Sequence, residues 1–142
     1  MRYNLRFAVL LVLLMGFEVN ASAETCVEYM SSKFETLNGY GLQQVAEACR
    51  GNKNMGCLKI ITGKFPDLDF GGYKKVARSC SGNSNTSCIK HISSKFDLGY
   101  PAYLRLAEAC ANSDMACIHV LEKAKDLSFH EYILAARNCK FQ

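Results

Sequence analysis

Only two prolines and ten glycines occur among the 142 residues, and no segment is low in complexity. That scarcity excludes a disordered, linker-like chain. An excess of one charge is missing too. With 17 Lys+Arg against 13 Asp+Glu the formal net charge is +4, far from the basic density of nucleic-acid binders. No nucleic-acid partner is expected. No apolar run reaches the roughly 20 residues that a membrane-crossing helix needs. Signatures of chemistry are absent as well. There is no C-x-x-C for a zinc site, no H-E-x-x-H and no G-x-S-x-G for acyl transfer. Gly51 and Gly56 have the glycine spacing of a phosphate loop, yet Cys57 stands where its lysine belongs. No catalytic residue, metal or cofactor is expected.

What is present begins with a leader. Arg2 and Arg6 supply a positive start, Phe7 to Phe17 an apolar core, and Ala21-Ser22-Ala23 a cleavage site. Residues 1–23 therefore read as a secretory signal peptide, and membrane contact is expected only before its removal. The product from Glu24 keeps 15 Lys+Arg (17 less Arg2 and Arg6) and 12 Asp+Glu (13 less Glu18), a net of +3. It has the length of one domain, residues 24–142.

Eight cysteines punctuate that product, and each begins or ends one of four similar phrases. These are residues 26–49, 57–80, 88–110 and 117–139, with starts 31, 31 and 29 residues apart. Such periods with helical patterning mark stacked αα-repeats. In the first half of a unit, apolar side chains stand at the cysteine, +1, +4 and +8, as in Cys57, Leu58, Ile61 and Phe65. Those positions share one arc of a helix, while +2 and +6 lie opposite and are polar or small. The second half repeats a stripe at i, i+3, i+4 and i+7, from Leu42-Val45-Ala46-Cys49 through Tyr132-Ala135-Ala136-Cys139. Asn54, Asn85 and Asp114 are expected to cap the first helices, and Asn38, Asp69 and Ser128 (with Glu131) the second ones. Pro101 suits a first turn. Gly51, Gly82 and Asn112, two residues past closing cysteines, suit left-handed helix ends. The fold class is all-α, a solenoid-like stack of four disulfide-closed helix hairpins with eight helices.

An even cysteine count in an exported chain implies disulfides. In an antiparallel hairpin the start of the first helix lies beside the end of the second. This favours Cys26–Cys49, Cys57–Cys80, Cys88–Cys110 and Cys117–Cys139. The competing scheme joins Cys49–Cys57, Cys80–Cys88 and Cys110–Cys117, and strands Cys26 and Cys139 at opposite ends of a stack.

Units closed by cysteines, with seven or six residues between a closing and an opening cysteine and endings such as AEAC and ARSC, resemble the cysteine-rich Sel-like repeat proteins of the tetratricopeptide type. The resemblance is one of architecture over residues 24–142. The longer repeat of that family and its Leu-Gly and Gly-x-Gly-Val positions are absent. It implies a binding scaffold and transfers no functional residue.

Two repeated features are candidate binding surfaces. Lys33, Lys64 and Lys95 precede Phe34, Phe65 and Phe96, and parallel stacking would align them as a ladder for an acidic polymer, a lipid headgroup or an acidic protein segment. A lysine late in a helix also suits the helix dipole. Phe70, Tyr100 and Phe129 precede the second helices; they either pack the loops or form an exposed row of anchors for a peptide. His91 and His119 lie in neighbouring units, and His130 begins the last helix. Glu47 and Glu108 share one repeat position. The reading is a secreted or periplasmic, non-enzymatic binding or assembly module with a protein partner. The alternatives are a small hydrolase or inhibitor of cell-wall enzymes, or a secreted effector.

Overall fold

The helical periodicity becomes eight α-helices in the computed structural model, which describes residues 24–53, 55–82 and 85–141. They pair as α1 (Cys26–Lys33) with α2 (Gly39–Ala48), α3 (Gly56–Lys64) with α4 (Phe70–Ser79), α5 (Thr86–Ser93) with α6 (Tyr100–Cys110), and α7 (Met115–Ala124) with α8 (Phe129–Asn138). The leader at 1–23 and the cap expected at Asn54 lie outside the described residues.

Local chemistry sets the helix ends. Asn38 and Asp69 accept bonds from the amides of Gly41 and Gly72 at 2.9 and 2.7 Å. Asn85 accepts from Cys88 N at 3.1 Å and Asp114 from Ala116 N at 2.9 Å. Each bond satisfies an amide that the first helical turn leaves without a partner. Ser128 and Glu131 form a reciprocal capping box, Thr25 and Glu28 form another, and Pro101 sits in the first turn of α6. Past the closing cysteines, Gly51, Gly82 and Asn112 have φ of 77°, 81° and 55°. Glycine adopts that left-handed conformation without strain, and asparagine is among the few other residues that do.

Four disulfides close the hairpins, Cys26–Cys49, Cys57–Cys80, Cys88–Cys110 and Cys117–Cys139, with Cα–Cα distances of 5.7, 5.6, 5.7 and 5.6 Å. The scheme linking neighbouring units is thereby excluded. Each closure should contribute roughly 3 kcal/mol through the unfolded chain. One short hairpin buries too little to stand alone. Four such bonds suit an oxidising, extracytoplasmic compartment, and among the described residues no helix is long and apolar enough to cross a membrane.

Backbone bonds run alongside the disulfides. Lys53 N donates to Gly82 O at 3.3 Å, Asn85 N to Cys110 O at 3.3 Å, and Asp114 N to Cys139 O at 2.6 Å. Each connector is thus tied to the end of the hairpin it introduces. The second helices pack in series, α2 on α4 on α6 on α8.

Packing between hairpins gives each unit a backward and a forward face. At +1, Leu58, Ile89 and Ile118 are fully buried, whereas Val27 of the first unit is 39% exposed. At +4, Met30, Ile61 and Ile92 are fully buried, whereas Leu121 of the last unit is 41% exposed. Position +1 therefore looks back along the stack and +4 looks forward. Leu42 and Ala46 belong to the apolar stripe of α2 yet are exposed. Their counterparts Tyr73 and Ala77 are buried against the preceding hairpin, and among the described residues no hairpin precedes unit one.

Candidate functional site

The joints between hairpins use one aromatic device three times. Phe34 packs edge-on against Phe70 and Tyr73 of the next unit, with ring centroids 5.1 and 5.3 Å apart. Phe65 meets Tyr100 and Tyr103, both at 5.5 Å, and Phe96 meets Phe129 and Tyr132 at 5.7 and 5.8 Å. Edge-to-face geometry places ring hydrogens on the electron-rich face of the partner ring. Phe70, Tyr100 and Phe129 are half-buried in these clamps, and the Tyr100 hydroxyl donates to Gly72 O at 3.0 Å. The structure places this row inside the joints, where loop packing accounts for it.

Beside each clamp, first helices meet through positions +3 and +7 of one unit and +2 and +5 of the next. At the joint of units one and two these are Tyr29, Lys33, Lys59 and Thr62. The Tyr29 hydroxyl and Thr62 Oγ1 are 2.8 Å apart, and Lys33 and Lys59 lie over the Tyr29 ring at 5.0 and 5.6 Å. At the second joint the same positions hold Ile60, Lys64, Lys90 and Ser93. At the third they hold His91, Lys95, His119 and Glu122, and here ionisable groups converge.

Glu122 is the centre of that convergence. Its Oε2 accepts from His91 Nε2 at 2.8 Å and from His119 Nδ1 at 3.2 Å, while Oε1 pairs with Lys95 Nζ at 2.7 Å. A carboxylate only accepts, so each ring nitrogen facing it carries the proton. The imidazoles meet edge to face with centroids 4.8 Å apart, and Lys95 lies over the Tyr132 ring at 5.8 Å. The bond from Lys95, followed by those from the two imidazoles, lowers the Glu122 pKa to about 2 against an opposing cost of burial. The same pair raises the Lys95 pKa. His91 and Glu122 are 26% and 22% exposed and His119 is 49% exposed, so the cluster is reachable from solvent. One donor atom from each of His91, His119 and Glu122 lies within 4.8 Å of the others. Next to it opens a cavity of about 240 Å³ lined by Lys95, Phe96, Glu122, Lys125, Leu127 and Tyr132, with Asp126 at its edge.

Of the lysine ladder, Lys33 is exposed beside Tyr29, Lys64 has no ion-pair partner among the described residues, and Lys95 is held by Glu122. The three rungs are chemically unequal. His130 is exposed at the start of α8, away from the cluster. Glu47 and Glu108 sit on α2 and α6 with α4 between, Glu47 bonded to Gln43 and Glu108 to Ser79. They form no carboxylate pair. Repeat position alone sets His91 and His119 in neighbouring units and does not single out Glu122. The H-x-x-E spacing of His119 and Glu122, one turn apart on one helix, is the sequence signal for it.

A second feature lies at the open end of the stack. A groove of about 330 Å³ is walled by Leu121, Ala124, Leu127, Leu134 and Ala135, with Lys125, Glu131 and Asn138 at its rim. In unit three the positions of Leu121, Leu127, Ala135 and Asn138 are filled by Ile92, Leu98, Leu106 and Ala109, all buried beneath unit four. Lys125 replaces the clamp phenylalanine and is paired with Glu131. The groove is the forward face of unit four, the counterpart of the surface that unit three buries.

No protein-family model, curated protein or solved structure matches this chain.

Proposed function

We propose that this is a secreted or periplasmic binding module whose partner is another protein, docked on the forward face of unit four. The observation that carries this reading is the groove of Leu121 and Leu127, extended by exposed Leu134, because the counterparts of the first two in unit three, Ile92 and Leu98, are buried in a helix-on-helix interface. The occupant it fits is an amphipathic helical segment presenting Leu, Ile or Phe, laid where a fifth hairpin would lie. Covering Leu121 alone should stabilise a complex by on the order of 1–2 kcal/mol. The Lys125–Glu131 pair at the rim would orient the partner more than hold it, since exposed pairs are weak. The resemblance to Sel-like scaffolds points the same way.

A photocrosslinking residue at Leu134, compared with one at Lys75, exposed on α4, tests the proposal. Expected is one partner protein joined at position 134, retained through a high-salt wash and lost in a Leu121→Glu variant. Crosslinking equally from both positions, or material that salt releases, would sink it, because exposed charge contacts are screened. A crosslink only to a second copy of this chain would replace a foreign partner with self-assembly.

A further inference from the structure

We infer that His91, His119 and Glu122 form a binding site for a single divalent transition-metal ion of borderline softness, with Zn²⁺ the natural probe. Two imidazole nitrogens and one carboxylate oxygen are a donor set such ions favour; Ca²⁺ and Mg²⁺ prefer oxygen throughout. Ligand bonds of about 2.0–2.1 Å place neighbouring donors of a tetrahedral site roughly 3.3 Å apart. The present contacts of 2.8 and 3.2 Å to Glu122 Oε2 need to open by a few tenths of an ångström, while the two imidazole donors, within 4.8 Å of each other, must close by up to about 1.5 Å. The ion would take the place of the two ring protons now shared with that oxygen. The protons would move to His91 Nδ1 and His119 Nε2, so neutral rings bind without changing their charge.

Three further observations favour a ligand over a plain ion pair. The donors are presented by rigid parts, since His91 is three residues from the staple at Cys88 and His119 two residues from that at Cys117. Such pre-ordering reduces the entropy that binding must overcome. Lys95 bonds the other carboxylate oxygen, the outer-shell arrangement that fixes a ligand's orientation. Its ammonium charge opposes a cation, which weighs against very tight binding. Finally, the repeat supplies an internal control. The positions of His91, His119 and Glu122 are filled at the second joint by Ile60, Lys90 and Ser93, and at the first by Tyr29, Lys59 and Thr62. Neither of those sets can ligate a metal in this way, and both joints pack without one. The first and third joints both have a cavity at this place; at the third it reaches Glu122, so water or a small anion can complete the coordination from there.

The test is calorimetric titration of the oxidised protein with Zn²⁺ in excess Mg²⁺, repeated with Co²⁺ to read its visible absorption. One ion per chain and a tetrahedral Co²⁺ spectrum are expected. His91→Ala, His119→Ala and Glu122→Gln should each weaken binding at least tenfold or so, given that outer-shell changes alone cost about 10–100-fold. His130→Ala should leave it unchanged. The triple variant His91→Ile, His119→Lys, Glu122→Ser installs the residues of the second joint, so it should fold and bind nothing. No saturable binding below about 1 mM by the intact protein, or binding that survives in the folded triple variant, would overturn the inference.

Discussion

The first and third joints are built on the same repeat positions and have diverged in opposite directions. Both clamp a phenylalanine between two rings of the following hairpin. Beside the clamp, the first joint is closed by a hydroxyl pair, Tyr29 with Thr62, under two lysines. The third exchanges these for two imidazoles and a carboxylate. The lesson is that the clamp carries the packing and leaves its neighbours free to change. A position that only has to be polar on one repeat can become a ligand on another.

Breaking the staples gives the largest effect. Cys88→Ala with Cys110→Ala should cost roughly 3 kcal/mol in denaturant unfolding. Because unit three is covered on both sides, its loss should take its neighbours with it. The end pair Cys26→Ala with Cys49→Ala should instead produce a separate, earlier transition, as expected when a terminal repeat frays. Indistinguishable curves for the two variants would refute the nearest-neighbour picture.

Next in size is the clamp itself. Phe34→Ala and Phe96→Ala should each destabilise by about 2–3 kcal/mol, somewhat below the range for fully buried phenylalanine because both rings are half-buried. Similar losses at the two joints would support a shared clamp, whereas a loss confined to one joint would show that the clamps are not equivalent. Removing the hydroxyl pair at the first joint is milder. Tyr29→Phe should cost about 1 kcal/mol, leaving the Thr62 hydroxyl to its bond with Leu58 O.

The smallest effect separates the joints by pH. The folded-state pKa of Glu122 lies at about 2, below its ordinary value of 4.5. Its contribution to stability is thus fully present above the ordinary value and is lost as pH falls toward 2. The difference in thermal midpoint between the native protein and Glu122→Gln should therefore shrink steadily between about pH 5 and pH 2. The difference for Tyr29→Phe should not change over that range. A Glu122→Gln difference that stayed constant would mean that the carboxylate charge does not stabilise the third joint.

Much of this architecture was legible in the sequence because it is local. Helix stripes, caps such as Asn38 and Asp69, the left-handed residues and the within-hairpin pairing all depend on spacings of a few residues to one hairpin. The candidate site was only half legible. His91 and His119 could be set in adjacent units by their repeat positions. That Glu122 faces His91 depends on the offset between stacked units, a tertiary quantity to which +3 and +5 positions are blind. The same offset explains why Phe70, Tyr100 and Phe129 face the preceding phenylalanine, and why Leu42 and Leu121, though on apolar stripes, meet no partner at the two ends.

The pairing of each cysteine with the next one along the chain has a consequence for biogenesis. A chain entering an oxidising compartment N-terminus first presents Cys26 and Cys49 before any other thiol, then Cys57 and Cys80, and so on. Every native bond is therefore the one between the two newest arrivals, and oxidation in order of emergence yields the correct set. Dependence on an oxidant without an isomerase should follow, since no mispaired bond has to be attacked and reshuffled.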